Sequence, residues 1–126
     1  MPGLLFIYGT LHPNRAPAEI ADAARTLKPI GRGTILGKLY DLGEYPGVVL
    51  DGATCEIISG EVFAIPDAET LAQLDRYEDY RLDDLANSLF LRVQTAVTLD
   101  TGLTEVCWVY VYNRELPPQS AKFDLP

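Results

Sequence analysis

Two long alternating runs, Leu89–Leu99 and Glu105–Asn113, constrain the fold of this chain more than any other feature. In the first, Leu89, Leu91, Val93 and Val97 form an apolar face opposite Phe90, Arg92, Gln94 and Ala96. In the second, Trp108, Tyr110 and Tyr112 share one face, and Cys107, Val109 and Val111 share the other. A period of two is the signature of a β-strand. Asp100-Thr101-Gly102 between the runs is a hairpin signal.

The rest of the chain adds short strands and two helices. Leu4–Tyr8 is a continuous apolar run, consistent with a central strand rather than a signal peptide, since no basic region precedes it. Ala18–Leu27 has helical spacing at Ile20, Ala23, Ala24 and Leu27, and Pro29 ends it. Thr34–Asp41 alternates, with Ile35, Gly37 and Leu39 on one side. Gly43 to Gly47 reads as a turn, with Val48–Leu50 and Gly60–Ile65 as further strands. Pro66-Asp67 caps a second helix over Ala68 to about Tyr77, and Leu82–Ser88 reads as a loop. The tail from Leu116 is expected to be extended. The expected class is α+β: a small mixed, partly closed β-barrel of five to seven strands with flanking short helices.

With 126 residues, a single domain is expected. A net charge of −8 with scattered Lys and Arg argues against nucleic acid as a partner. No apolar stretch reaches the roughly 18 residues of a membrane span, so no membrane partner is expected. The two cysteines, Cys55 and Cys107, fall at strand-like positions and read as reduced thiols of a cytoplasmic protein. Monomer is the default state.

Glu78 is the first chemical candidate. It follows Leu71 by seven residues and Leu74 by four, so it continues the apolar stripe of the second helix if the helix reaches it. There, lost hydration and the helix C-terminus both raise its proton affinity. If the helix frays at Tyr77, Glu78 simply faces water. Asp75 and Asp79 read as lying elsewhere on the wheel.

Tyr8-Gly9-Thr10-Leu11 is the second candidate: a glycine after a strand lets successive N–H groups form an anion-binding concavity. The plain alternative is a strand-end turn. Arg92 offers a planar fork for a carboxylate, or else makes a structural ion pair. The Trp108, Tyr110 and Tyr112 face lines a pocket or belongs to the core.

Other chemistries lack material. His12 is the sole histidine, which leaves almost nothing for a histidine metal site or a Cys–His pair. No Gly-x-Ser-x-Gly elbow or P-loop occurs, and Gly31 to Gly37 has the wrong spacing for a dinucleotide loop.

Taken together, the chain resembles the γ-glutamylcyclotransferase-like family, including its γ-glutamylamine cyclotransferase branch. The resemblance rests on Tyr8-Gly9-Thr10-Leu11, Gly37 to Gly43 leading to Tyr45-Pro46-Gly47, Gly60-Glu61-Val62-Phe63, Leu74-Asp75-Arg76-Tyr77-Glu78, and Val109 to Tyr112. It implies a small barrel whose Tyr-Gly-Thr-Leu loop and glutamate face one cavity. Glu78 then stands as general acid and base. Tyr8, Gly9, Thr10, Leu11, Arg92 and Tyr110 are the implied substrate-binding residues.

The implied reaction needs no cofactor and no metal: a γ-glutamyl amine or amino acid gives 5-oxoproline and the free amine. The substrate's α-amine is its own nucleophile, so neither Ser nor Cys is required. Phe90 stands where the family often has tyrosine, and the acidic segment Tyr80 to Ser88 weakly favours a neutral or cationic leaving amine. A binding module of the same fold without catalysis is the alternative.

Overall fold

The computed structural model describes residues 3–8, 18–41, 46–50, 56–113 and 121–122. Among them the elements run β1 (Leu4–Ile7), α1 (Ala18–Arg25), β2 (Lys28–Asp41), β3 (Pro46–Val49), β4 (Glu56–Ala64), α2 (Ala68–Tyr77), β5 (Phe90–Leu99), β6 (Thr104–Tyr112) and β7 (Ala121–Lys122). A short 3₁₀ turn, Leu85–Asn87, interrupts the loop expected before β5.

The strands are ordered β3-β2-β4-β1-β6-β5, and β5 also pairs with β2. That pairing, Gly33 with Leu99 and Thr34 with Thr98, closes β2, β4, β1, β6 and β5 into a barrel. The barrel is therefore closed, where partial closure was expected. It is mixed, because β1 runs parallel to β6 and antiparallel to β4. The β5–β6 hairpin pairs from Phe90–Tyr112 to Thr98–Thr104, turning at Gly102 with φ 91°.

Two cores follow from the alternation. Phe6, Ile35, Leu39, Ile58, Val62, Val97, Cys107 and Val109 fill the barrel. Leu5, Ile7, Phe63, Phe90 and Tyr110 lie on its outer face and are covered by Ile20, Ala23 and Leu27 near α1 and by Leu74 of α2. β1 is buried on both faces, which is why it reads as a continuous apolar run. Cys107 is a free, buried thiol; burial pushes it up to about 11. Cys55 lies outside the described residues.

Strand β2 begins six residues earlier than the alternation indicates. Its register with β4 shifts between Pro29 and Gly31, so Pro29 sits at a bulge where its missing N–H is tolerated. Gly31 and Gly33 are therefore strand residues, not a nucleotide loop. β4 likewise begins at Glu56 rather than Gly60. Leu89 packs with the outer core, not with Val93, because it precedes the strand. A Cβ on Gly60 would stand 2.5 Å from the Ile7 carbonyl oxygen and 2.6 Å from Phe6 Cζ, so β4 passes β1 only as glycine there. Among the described residues no helix is long and apolar enough to cross a membrane.

Candidate active site

Helix α2 places the acid. Asp67 caps its N-terminus, accepting from the Thr70 N–H at 2.8 Å, as the sequence indicates. Leu74 is fully buried and anchors the helix against the outer face of the barrel. The Glu78 N–H still donates to the Leu74 carbonyl at 2.9 Å, so the helical path reaches Glu78 and keeps it on the apolar stripe.

The chain then stops in a Schellman turn. The Asp79 N–H donates to Arg76 O at 3.2 Å, and the Tyr80 N–H donates to Asp75 O at 2.9 Å. Asp79 takes φ 56°, the left-handed conformation usually given to glycine. Its carboxylate pairs with Arg81 at 2.9 Å. Downstream, the buried Ser88 hydroxyl accepts from the Arg81 N–H at 2.7 Å and holds the loop back to β5.

Burial pushes the Glu78 carboxyl up from 4.5 to about 7. Among the described residues no hydrogen bond or ion pair holds this carboxylate. Two phenols lie within range of its charge. Tyr8, from the end of β1, is pushed well above the ordinary phenol range by burial; the Val48 N–H opposes this and the Glu78 charge adds to it. Tyr110, from β6, is raised by burial and then by the charge and hydrogen bond of Asp75, with a further contribution from Glu78. The Tyr8 hydroxyl donates to the Tyr110 carbonyl at 2.6 Å and accepts from the Val48 N–H at 3.3 Å.

Asp75 joins these groups, although the sequence reading sets it apart from Glu78. Its Oδ1 accepts from the Tyr110 hydroxyl at 2.7 Å and from Arg92 Nε at 2.8 Å, and its Oδ2 accepts from Arg92 Nη2 at 3.2 Å. The Arg92 guanidinium also lies 4.2 Å from the Trp108 ring centre and 5.4 Å from that of Tyr80. Of the two readings open for Arg92, the ion pair is the one present. The aromatic face is core, with Tyr110 as its polar member. Phe90 is also core, edge-on to Tyr112 at 5.7 Å. The spacing Leu71, Leu74, Asp75, Glu78 was the available signal for Asp75, since all four fall on one side of a helix.

Asp75 thus joins Tyr110 and Arg92 to the end of α2 that carries Glu78, and Tyr8 bonds the Tyr110 backbone. Gly9, Thr10 and Leu11 lie outside the described residues.

The family described as "Gamma-glutamyl cyclotransferase, AIG2-like" matches residues 5–125. The chain belongs to this family. It is accordingly an enzyme of the γ-glutamyl cyclotransferase type. One relative, the γ-L-glutamyl-butirosin B γ-glutamyl cyclotransferase of Niallia circulans, is 34% identical over 116 residues, covering 91% of this chain and 69% of that protein. A putative γ-glutamylcyclotransferase of Vibrio cholerae is 31% identical over 113 residues, covering 90% and 84%.

Among solved structures, an AIG2-like protein from Mus musculus superposes with a TM-score of 0.66 at 20% identity, covering 86% of this chain and 76% of that one. YkqA from Bacillus subtilis gives 0.69 at 24% identity; the match covers 90% of this chain and 36% of YkqA. These two likenesses concern the fold.

Proposed function

We propose that this cyclotransferase converts a γ-glutamyl amine or amino acid into 5-oxoproline and the free amine without a cofactor, with Glu78 as general acid and base. The observation that carries the reading is the state of Glu78: a carboxyl near neutrality, with no hydrogen-bond or ion-pair partner among the described residues. A group poised near working pH can both accept and return a proton.

Glu78 takes a proton from the substrate's α-ammonium. The freed nitrogen attacks the γ-carbonyl carbon, closing a five-membered ring. Collapse of the tetrahedral oxyanion breaks the bond to the leaving nitrogen, which receives the proton back from Glu78. The ring nitrogen sheds its remaining extra proton as the released amine takes one up, so protons balance. Holding the γ-glutamyl chain curled supplies most of the remaining assistance.

The Glu78 charge is felt at the Tyr8 and Tyr110 phenols, and Arg92 contributes through Asp75. The N–H groups of Gly9, Thr10 and Leu11, directly after Tyr8 in the chain, are our candidates for holding the substrate carboxylate and the oxyanion. The relative named for γ-glutamyl-butirosin B supports a γ-glutamyl group joined to an amine. The Cys107 thiol supports a reducing, cytoplasmic setting. A monomer suffices, since every group named lies on one chain.

The test is release of 5-oxoproline from a panel of γ-glutamyl amines with neutral, cationic and anionic leaving groups. Release with stoichiometric free amine from at least one member is expected. No release from any, with thermal stabilisation by the same compounds, would point instead to a binding module of this fold.

A further inference from the structure

The segment that follows Glu78 is fastened by a residue from the far end of the β5–β6 hairpin. Asn113 comes directly after β6. Its side-chain amide donates to the Leu85 carbonyl at 2.9 Å and to the Ser88 carbonyl at 3.0 Å, and its backbone N–H donates to the Leu89 carbonyl at 3.0 Å. Both side-chain partners are acceptors, so the amide must turn its nitrogen towards them; the reversed amide would set oxygen against oxygen.

The segment so held is already closed on itself. The Ser88 N–H donates to the Leu85 carbonyl at 3.2 Å, and the buried Ser88 hydroxyl accepts from the Arg81 N–H at 2.7 Å. The Asn113 side chain ties this closed strap to the end of β6.

The tie reaches the acid through two further bonds. The Leu89 N–H donates to the Asp79 carbonyl at 3.1 Å, and Asp79 is the residue after Glu78. The Tyr80 N–H turns back to the Asp75 carbonyl at 2.9 Å. Glu78 therefore stands between the last turn of α2 and a strap pinned to β6. If the strap lifts, that last turn is free to fray with it.

We propose that Asn113 is a positioning residue for Glu78: by clasping the Leu85 and Ser88 carbonyls it holds the strap from Asp79 to Leu89 against the ends of β5 and β6, and so keeps the acid in its buried place. The assignment deepens the reading of Glu78 as acid and base and rests on it. Asn113 touches no substrate in this scheme.

N113A removes both side-chain donors and adds no charge. The titratable and charged groups that bear on Glu78 are Asp75 with its partner Arg92, and the Tyr8 and Tyr110 phenols; their own hydrogen bonds do not involve Asn113. Water then reaches the loosened helix end. Titration of Glu78 by carboxyl-carbon NMR, without substrate, should show a pKa lower by about one unit than in wild type. In turnover, kcat should fall about tenfold with KM changed much less, because the acid is misplaced and no substrate contact is lost.

Val97→Ala separates positioning from stability. Val97 fills the barrel, in the other core, and its truncation lowers melting without touching the strap. It should leave the Glu78 pKa unmoved. A Glu78 pKa unchanged in N113A, or lowered equally by Val97→Ala, would make Asn113 a structural residue only and overturn the assignment. N113S, which keeps a single donor, serves if N113A does not fold, with a smaller fall in the same direction. Absence of turnover in wild type would count against the cyclisation reading, and the NMR titration would still judge the role of Asn113.

Discussion

Asp75 and Glu78 lie on one side of the same helix end, yet the Asp75 carboxylate is held by Tyr110 and Arg92 while that of Glu78 has no hydrogen-bond partner among the described residues. Two acids so close are given different work by their surroundings. Asp75 is compensated by a guanidinium and a phenol. Glu78 loses water without gaining a partner among the described residues, and burial raises its proton affinity.

This difference predicts a cost of function in stability. Glu78 binds its proton more tightly in the folded chain than in the unfolded one. Stability should therefore fall as pH climbs from about 4.5 and level off above about 7. The full effect is at most about 3 kcal/mol. Glu78→Gln, which cannot ionise, should be more stable than wild type at pH 8, with the gap closing towards pH 5. Denaturant unfolding of both proteins at the two pH values measures it. A gap independent of pH would contradict the buried, uncompensated carboxylate.

The same group sets the pH dependence of turnover. Glu78 must be ionised to accept the first proton, so kcat/KM should rise as pH passes through about 7. A limb near 4.5 in the pH–rate profile would mean that the acid is solvated in the free enzyme.

Barrel closure makes a sharper demand on one glycine than on its neighbours. Gly60→Ala forces a Cβ against the Ile7 carbonyl and the Phe6 ring, at a cost of about 1–3 kcal/mol. Gly31→Ala, with nothing within 4 Å of the added carbon, should be neutral or slightly stabilising. Equal destabilisation by the two would show that strand propensity, not close approach, governs these positions.

The turn behind Glu78 is tested at Asp79. Its left-handed backbone is open to glycine, while a β-branched side chain pays about 1–2 kcal/mol there. Asp79→Gly should keep wild-type melting, and Asp79→Val should lower it and reduce kcat by loosening the Glu78 anchor. If Val is tolerated as well as Gly in melting and in kcat, the turn does not set the geometry of the acid.

Much of this architecture is legible in the chain itself. Alternation reports β5 and β6, and the spacing of Leu71, Leu74 and Glu78 puts the acid on the core side of α2, whose cap Asp67 is also recognisable. Other features depend on contacts between distant segments. Closure of the barrel rests on a short pairing between β2 and β5 that no local pattern signals. The start of β2 is concealed because Pro29 reads as a stop, whereas a bulge accommodates it. Asp75 draws its partners from β5 and β6, so its surroundings appear only once those strands are placed beside α2. The left-handed conformation of Asp79 has no glycine to announce it.

The central claim is that Glu78 moves the proton. The most direct measurement is the rate of 5-oxoproline release by wild type and Glu78→Gln, both verified as folded, on the best substrate of the panel. Gln keeps the shape and removes the titrating group. The account predicts a loss of on the order of a hundredfold or more in kcat. Equal rates in the two proteins would show that another group carries the proton.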